Sequence, residues 1–208
     1  MMKMQTYFKS FFSIVSIMMA LGIGIQNAAA DSRNGNMSLY LLIDRSLSME
    51  QEIGSVKAYL EESVADCLLQ TGDFVYALAF YGDTQFMLQG RIGSDISVDD
   101  LMRNVTELKA NRHYTDIGSL LDSFERDFRS SAAPPTDHSY VLLLSDNYHE
   151  GPPDSPYPGK THNLEHPLLV PRKEIPMEGW KISILGITVE EKAQQFAAEI
   201  TAAWNQRN

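Results

Sequence analysis

Four short apolar runs, separated by helical patterns, limit this chain to very few folds. They are Leu39–Ile43, which ends at Asp44, then Phe74–Phe80, Tyr140–Leu144 and Ile182–Ile187. None alternates apolar with polar residues, so each reads as a strand covered on both faces. Between them, apolar residues recur at helical spacing. Ile53, Val56, Leu60, Val64, Cys67 and Leu68 share one face of a helix predicted over residues 49–69. On that face Cys67 reads as a small core residue. Further helices are predicted over 98–108, over 116–128 with Ile117, Leu120, Leu121, Phe124 and Phe128 inward, and over 190–204. A fifth apolar stretch, Phe86–Ile92, follows the second run after only Tyr81-Gly82-Asp83-Thr84-Gln85. So short a link cannot make a parallel crossover, so this strand pairs antiparallel, at an edge. The expected fold is α/β: a doubly wound, mostly parallel sheet with one antiparallel edge strand and helices on both faces. In such sheets ligands bind at the carboxyl ends of the strands.

The amino end has another character. Residues 1–30 contain no Asp or Glu, start positive at Lys3 and Lys9, run apolar from Phe11 to Ile25 and end in Ala28-Ala29-Ala30. That is the pattern of a secretory signal peptide, with an uncleaved anchor as the other reading. The apolar run is shorter than the ~20 residues that a spanning helix needs. A domain over 31–208 is left, outside the cytoplasm, in a bacterial periplasm or secreted, with no membrane span once the leader is removed. The whole chain has a net charge of -10; without Lys3 and Lys9 it keeps 15 basic and 27 acidic residues, a net charge of -12. Such a balance argues against nucleic acid and against anionic lipid as partners. The single cysteine excludes an internal disulfide and a multi-cysteine zinc site. Residues 147–179 hold seven of the nine prolines. They read as a Pro-rich insertion with little periodicity, in which Leu164–Val170 forms a short apolar anchor.

Three polar clusters sit where the topology expects a site. The first strand runs into Asp44-Arg45-Ser46-Leu47-Ser48. A carboxylate and two hydroxyls on one strand-end turn are hard oxygen donors, suited to Mg²⁺, Mn²⁺ or Ca²⁺. Helix capping by Ser48, with Gln51 completing a capping box, is the plainer reading of that serine. His113-Tyr114-Thr115-Asp116 precedes the third helix, where Thr115 also reads as an N-cap. Ser145-Asp146-Asn147 ends the third apolar run, where an ordinary polar turn is the alternative.

In order and spacing this set resembles the von Willebrand factor type A (vWA) domain family. The likeness covers nearly all of the chain after the leader: the apolar strand with D-x-S-x-S at Asp44, Ser46 and Ser48, Gly72-Asp73-Phe74 leading into the second strand, Thr115 before a helix and Asp146 after a strand. The resemblance implies a metal-ion-dependent adhesion site (MIDAS) made by Asp44, Ser46, Ser48, Thr115 and Asp146. It implies hydroxyl ligation by Ser46 and Ser48, Thr115 binding directly or through water, and metal-bound waters held by the two aspartates. An acidic side chain of a protein partner would complete the shell. Two departures stand out: Leu47 and Asn147 occupy positions where many members have glycine. The family's final strand is also not evident after Glu190.

The function expected is thus an exported, metal-dependent protein-binding module. Arg45, Leu47, Arg112, His113, Tyr114, Asn147, Tyr148 and His149 are expected to form the ligand rim, with His113 and His149 as groups that titrate near neutrality. Two alternatives are an envelope assembly or scaffold protein whose metal site is weak, and a metal-dependent hydrolase. The chain has no G-x-S-x-G elbow, and His162 and His166 lack the zincin pattern, so no enzyme activity is expected.

Overall fold

A computed structural model describes residues 35–130, 138–168 and 180–186, the last of these as backbone only. The first apolar run is β1, Met37–Asp44, all eight residues of it buried. It lies between β2, Phe74–Phe80, and β4, His138–Ser145, and pairs parallel with both. The edge strand β3, Thr84–Arg91, runs antiparallel to β2, as the short link requires. Two short strands follow β4, β5 (His149–Gly151) and β6 (Gly159–Thr161), paired antiparallel with each other. The last described strand, β7 (Trp180–Gly186), pairs parallel with β4, giving a five-stranded sheet in the order β3-β2-β1-β4-β7.

Alternate residues of the strands feed two cores. Leu39, Leu41, Ile43, Val75, Ala77 and Ala79 pack on one face. They meet Val56 of α1 (Ile53–Tyr59) and Leu101 and Val105 of α2 (Val98–Glu107). Tyr40, Leu42, Tyr76, Leu78 and Phe80 pack on the other face, against Ile117, Leu120, Leu121 and Phe124 of α3 (Ile117–Ser130). Each fully buried side chain of this kind contributes ~1.5–3 kcal/mol. A sheet covered on both sides explains why its strands show no alternation in sequence. Ser97 and Asp100 form a reciprocal capping box that starts α2.

The helix expected over 49–69 is broken into parts. A 3₁₀ turn occupies Leu47–Met49, α1 follows, and the chain then widens into a π-helical stretch over Leu60–Ala65. The amides of Asp66 and Leu69 bond five residues back, to Glu61 and Val64. The wider turn slips the apolar face by one position. Leu69 now packs on the core, while Leu68 is 43% exposed. Cys67 is exposed too, its thiol donating to the Glu62 carbonyl at 3.0 Å, so it is not the core residue that the periodicity suggests.

The described part of the Pro-rich segment, residues 147–168, is more regular than its composition suggests. After the β5–β6 hairpin, Leu164 and Leu168 are buried in the core beneath α3, which makes them the expected anchor. Residues 169–179, the rest of that segment, and the predicted helix over 190–204 lie outside the described residues. No helix among the described residues is long and apolar enough to cross a membrane.

Candidate functional site

The strand order reverses at β1: the chain leaves it toward β2 and β3, then returns on the other side with β4. The carboxyl ends of β1 and β4 therefore flank the crevice where doubly wound sheets bind ligands. Pairing of Ile43 with Leu144 and of Asp44 with Phe80 brings the three strand ends level. Backbone bonds then gather the loops. The amide of Leu47 donates to the Arg112 carbonyl at 2.7 Å, and that of Asp116 to the Tyr81 carbonyl at 2.8 Å.

Asp44 is completely buried. One carboxylate oxygen accepts from the Ser46 amide at 2.8 Å, the other from the Ser145 hydroxyl at 2.7 Å. Burial drives its pKa up from 3.8 to about 7; these hydrogen bonds oppose the rise and the nearby Asp146 carboxylate adds to it. Ser46 is buried and Ser48 exposed, with their hydroxyl oxygens 2.9 Å apart. Neither serine side chain caps the 3₁₀ turn, so the capping-box reading of Ser48 and Gln51 does not apply.

Thr115 does not cap α3 either. Asp116 does, accepting from the Ser119 amide at 2.9 Å and the Ser119 hydroxyl at 2.8 Å. Thr115 is itself buried, and its backbone exchanges two 2.9 Å hydrogen bonds with Glu150 of β5. Asp146, also buried, follows β4 and accepts from the Tyr148 amide at 3.0 Å. The three loops thus carry three hydroxyls and two carboxylates at one sheet edge. Among the described residues no group of three or more His, Cys, Asp or Glu side chains is placed to hold a metal. An oxygen set built largely from hydroxyls is a different kind of donor set.

The rim residues divide. Leu47, Arg112, His113 and Tyr114 are exposed, and Arg45 and Tyr148 are partly so. Asn147 and His149, expected with them, are buried. Asn147 adopts φ 61°, the left-handed conformation for which glycine is the usual residue. Its side-chain amide nitrogen is buried without a partner among the described residues. His149 is a strut: Nδ1 accepts from the Ile117 amide at 3.2 Å and Nε2 lies 2.8 Å from the Tyr157 carbonyl. This pairing uses both ring nitrogens of a neutral imidazole with its proton on Nε2, so His149 does not face a ligand.

Sequence reasoning named Ser145 and Asp116 within their clusters without giving them a role, and passed over Tyr157. Ser145 lies next to Asp146, and only its register beside Asp44 shows its purpose. Tyr157 lies flat against Gly118, where an added Cβ would overlap its ring, and donates to Asp122 at 3.2 Å. That contact ties the insertion to the first turn of α3.

No family model matches the chain. It is similar to an uncharacterized protein of Treponema pallidum (strain Nichols), 24% identical over 173 residues, covering 82% of this chain and 77% of that one. Among solved structures, BatB, a conserved hypothetical protein from Bacteroides thetaiotaomicron, aligns at TM-score 0.53 and 15% identity over 82% of this chain and 87% of that one. The PilB minor pilin from Streptococcus sanguinis aligns at 0.53 and 13%, over 85% of this chain and 56% of its own. Three N-terminal domains of Mfa5, a type V pili tip protein from Porphyromonas gingivalis, align at 0.51 and 12%, over 82% of this chain and 46% of theirs. The fold is vWA-like. The chain spans about half the length of the two pilus chains, so the likeness concerns the domain and not those whole proteins.

Proposed function

We propose that this protein is an exported, metal-dependent protein-binding module whose ion is held by Ser46, Ser48 and Thr115 and steadied by Asp44 and Asp146. The observation that carries this reading is the 2.9 Å separation of the Ser46 and Ser48 hydroxyls above the buried Asp44. Adjacent oxygens of an octahedral Mg²⁺ shell with bonds of ~2.0–2.1 Å lie roughly 2.8–3.0 Å apart; for Ca²⁺ at ~2.3–2.6 Å they lie roughly 3.3–3.7 Å apart. The two hydroxyls are hydrogen-bonded to each other, and that spacing is also the one adjacent ligands take on the smaller ion, Mg²⁺ or Mn²⁺. Asp44 already accepts from Ser46 and Ser145, which favours its orienting the Ser46 loop over binding the ion directly. An ion ligated mostly by neutral hydroxyls keeps its charge and its attraction for an outside carboxylate. The ion supplies a local positive charge, and the chain's own residues supply its placement. Pilin and pilus-tip neighbours, though they show only the fold, agree with a binding role outside the cytoplasm.

Binding in preference to catalysis is part of the same proposal. Ser46 is engaged by Ser48, and both nitrogens of His149 are occupied, so neither offers a nucleophile–base pair. Calorimetry with Mg²⁺ and Mn²⁺ tests the reading. The wild type is expected to bind, and Ser48→Ala, an exposed change that leaves the core intact, to bind at least tenfold more weakly. Relaxation of water protons by bound Mn²⁺ should then fall when a carboxylate ligand displaces a metal-bound water. No ion binding by the wild type overturns the proposal and leaves the scaffold reading. Ester turnover lost in Ser46→Ala would instead favour a hydrolase.

A further inference from the structure

Several cations of the described surface are ion-paired, although Lys57, which donates to the Thr106 carbonyl at 2.7 Å, is not. Arg103 pairs with Asp100, Arg126 with Asp127 and Lys160 with Glu150. Arg45 and Arg112 pair with no carboxylate among the described residues. Both stand over one ring, that of Tyr81, with guanidinium carbons 5.9 and 5.5 Å from its centroid. At that distance the negative face of the ring attracts each guanidinium.

What holds them is neutral. Arg45 donates to the Gln85 side-chain carbonyl at 2.7 Å and to that of Asn111 at 3.3 Å, and its Nε is buried without a partner among the described residues. The Arg112 guanidinium is exposed, while its backbone pairs with the Ser46 loop. Asp83, two residues after Tyr81, is exposed and accepts from the Thr84 amide at 2.8 Å. In a chain of net charge -10, two cations on one ring that make no ion pair among the described residues form an open anion site.

We infer that Arg45 and Arg112, stacked on Tyr81, form a second anion subsite beside the Ser46–Ser48 loop, and that the partner is an acidic polypeptide segment offering at least two nearby carboxylates. One carboxylate goes to the ion and another to the arginine pair; the inference rests on the proposed ion site for the first of these. Arg45 is fixed by Gln85 and Asn111, whereas Arg112 is free to close on the ligand. Two carboxylates meeting two centres of positive charge also explain how so acidic a protein would take an acidic partner.

The test uses the full chain and blocked synthetic peptides bearing one glutamate, or two glutamates separated by zero to three glycines. Binding is followed in Mg²⁺ and in EDTA through the arginine Nε–H signals in ¹⁵N NMR. In Mg²⁺ the best two-glutamate peptide is expected to bind roughly fivefold tighter than the one-glutamate peptide, a modest gain typical of a partly exposed ion pair. Arg112→Gln should abolish that advantage and leave Mg²⁺ affinity in calorimetry unchanged. In EDTA the two-glutamate peptide should still move the Arg45 and Arg112 signals, more weakly. If Mg²⁺ binds and the advantage survives in Arg112→Gln, the subsite is overturned while the ion site stands. If Mg²⁺ does not bind, the ion site falls, and the EDTA signals alone decide the subsite: no movement overturns it.

Discussion

Asp44 gives the sharpest test of how this edge is built. Its carboxyl titrates ordinarily at 3.8, and burial lifts it to about 7 in the fold. A raised carboxyl pKa means that the fold favours the protonated form. The associated stability is fully present below 3.8, falls as pH rises toward 7 and is lost above it. At ~1.36 kcal/mol per pH unit, the interval between the two values amounts to about 4 kcal/mol. Between pH 5 and pH 8 the loss is about 3 kcal/mol. That is a large part of the 5–15 kcal/mol that stabilises an ordinary domain. A divalent ion near the carboxylate would reverse the cost by favouring the charged form.

The assay is urea unfolding in EDTA at pH 5 and pH 8, on the wild type and Asp44→Asn. The substitution changes shape little and removes the charge, so pH-independent losses cancel in the comparison. The wild type should lose about 3 kcal/mol more than Asp44→Asn between the two conditions, a shift of about 1–2 M in midpoint at the usual urea dependence of a domain this size. Added Mg²⁺ should stabilise the wild type more at pH 8 than at pH 5 and leave Asp44→Asn nearly unmoved. Equal pH dependence of the two proteins in EDTA would refute the reasoning, because the carboxylate would then not be paying a burial cost.

Other substitutions probe the frame around the site. Gly118→Ala should destabilise the protein by about 1–3 kcal/mol in thermal or urea unfolding, since its methyl group meets the Tyr157 ring and forces the insertion off α3. Asn147→Gly should stabilise by about 1 kcal/mol, because it relieves a left-handed backbone and deletes a buried amide nitrogen that has no partner among the described residues. Asp73→Ala should cost about 3 kcal/mol, because the buried carboxylate accepts from the amides of Met37 and Gln70, both at 2.9 Å, where β1 and β2 begin.

The strands were legible because burial on both faces leaves its mark on every residue of a run. Phe74–Phe80 is the same in sequence and structure, and the antiparallel edge followed from a chain-length argument alone. Helix periodicity was less faithful beyond Leu60. A π turn needs no special residue, so nothing in Glu61–Ala65 announces the slip that exposes Cys67 and Leu68. The Pro-rich segment misled for another reason. Its order comes from contacts with a distant helix, Tyr157 on Gly118 and Leu164 and Leu168 under α3, and composition does not record such partners.

At the site, residues fixed by the backbone path are the ones whose location sequence gives: Asp44 ends β1, Ser46 and Ser48 come just after it, and Asp146 follows β4, so knowing the strands locates them. Side chains whose task depends on a neighbour were misassigned. Thr115 and Asp116 are both good N-caps by type, and only the bonds to Ser119 show that Asp116 takes that role. His149 has the chemistry of a rim residue, yet the hairpin turns it inward to brace α3. Polar residues near a sheet edge serve either to bind or to build, and their type does not distinguish the two. Partner counts do. Asp116 and His149 have their bonding capacity met inside the fold, whereas Arg112 is exposed, charged and without a carboxylate among the described residues. It is the unmet capacity at this edge, two cations over one ring beside a pair of serine hydroxyls, that points outward to a ligand.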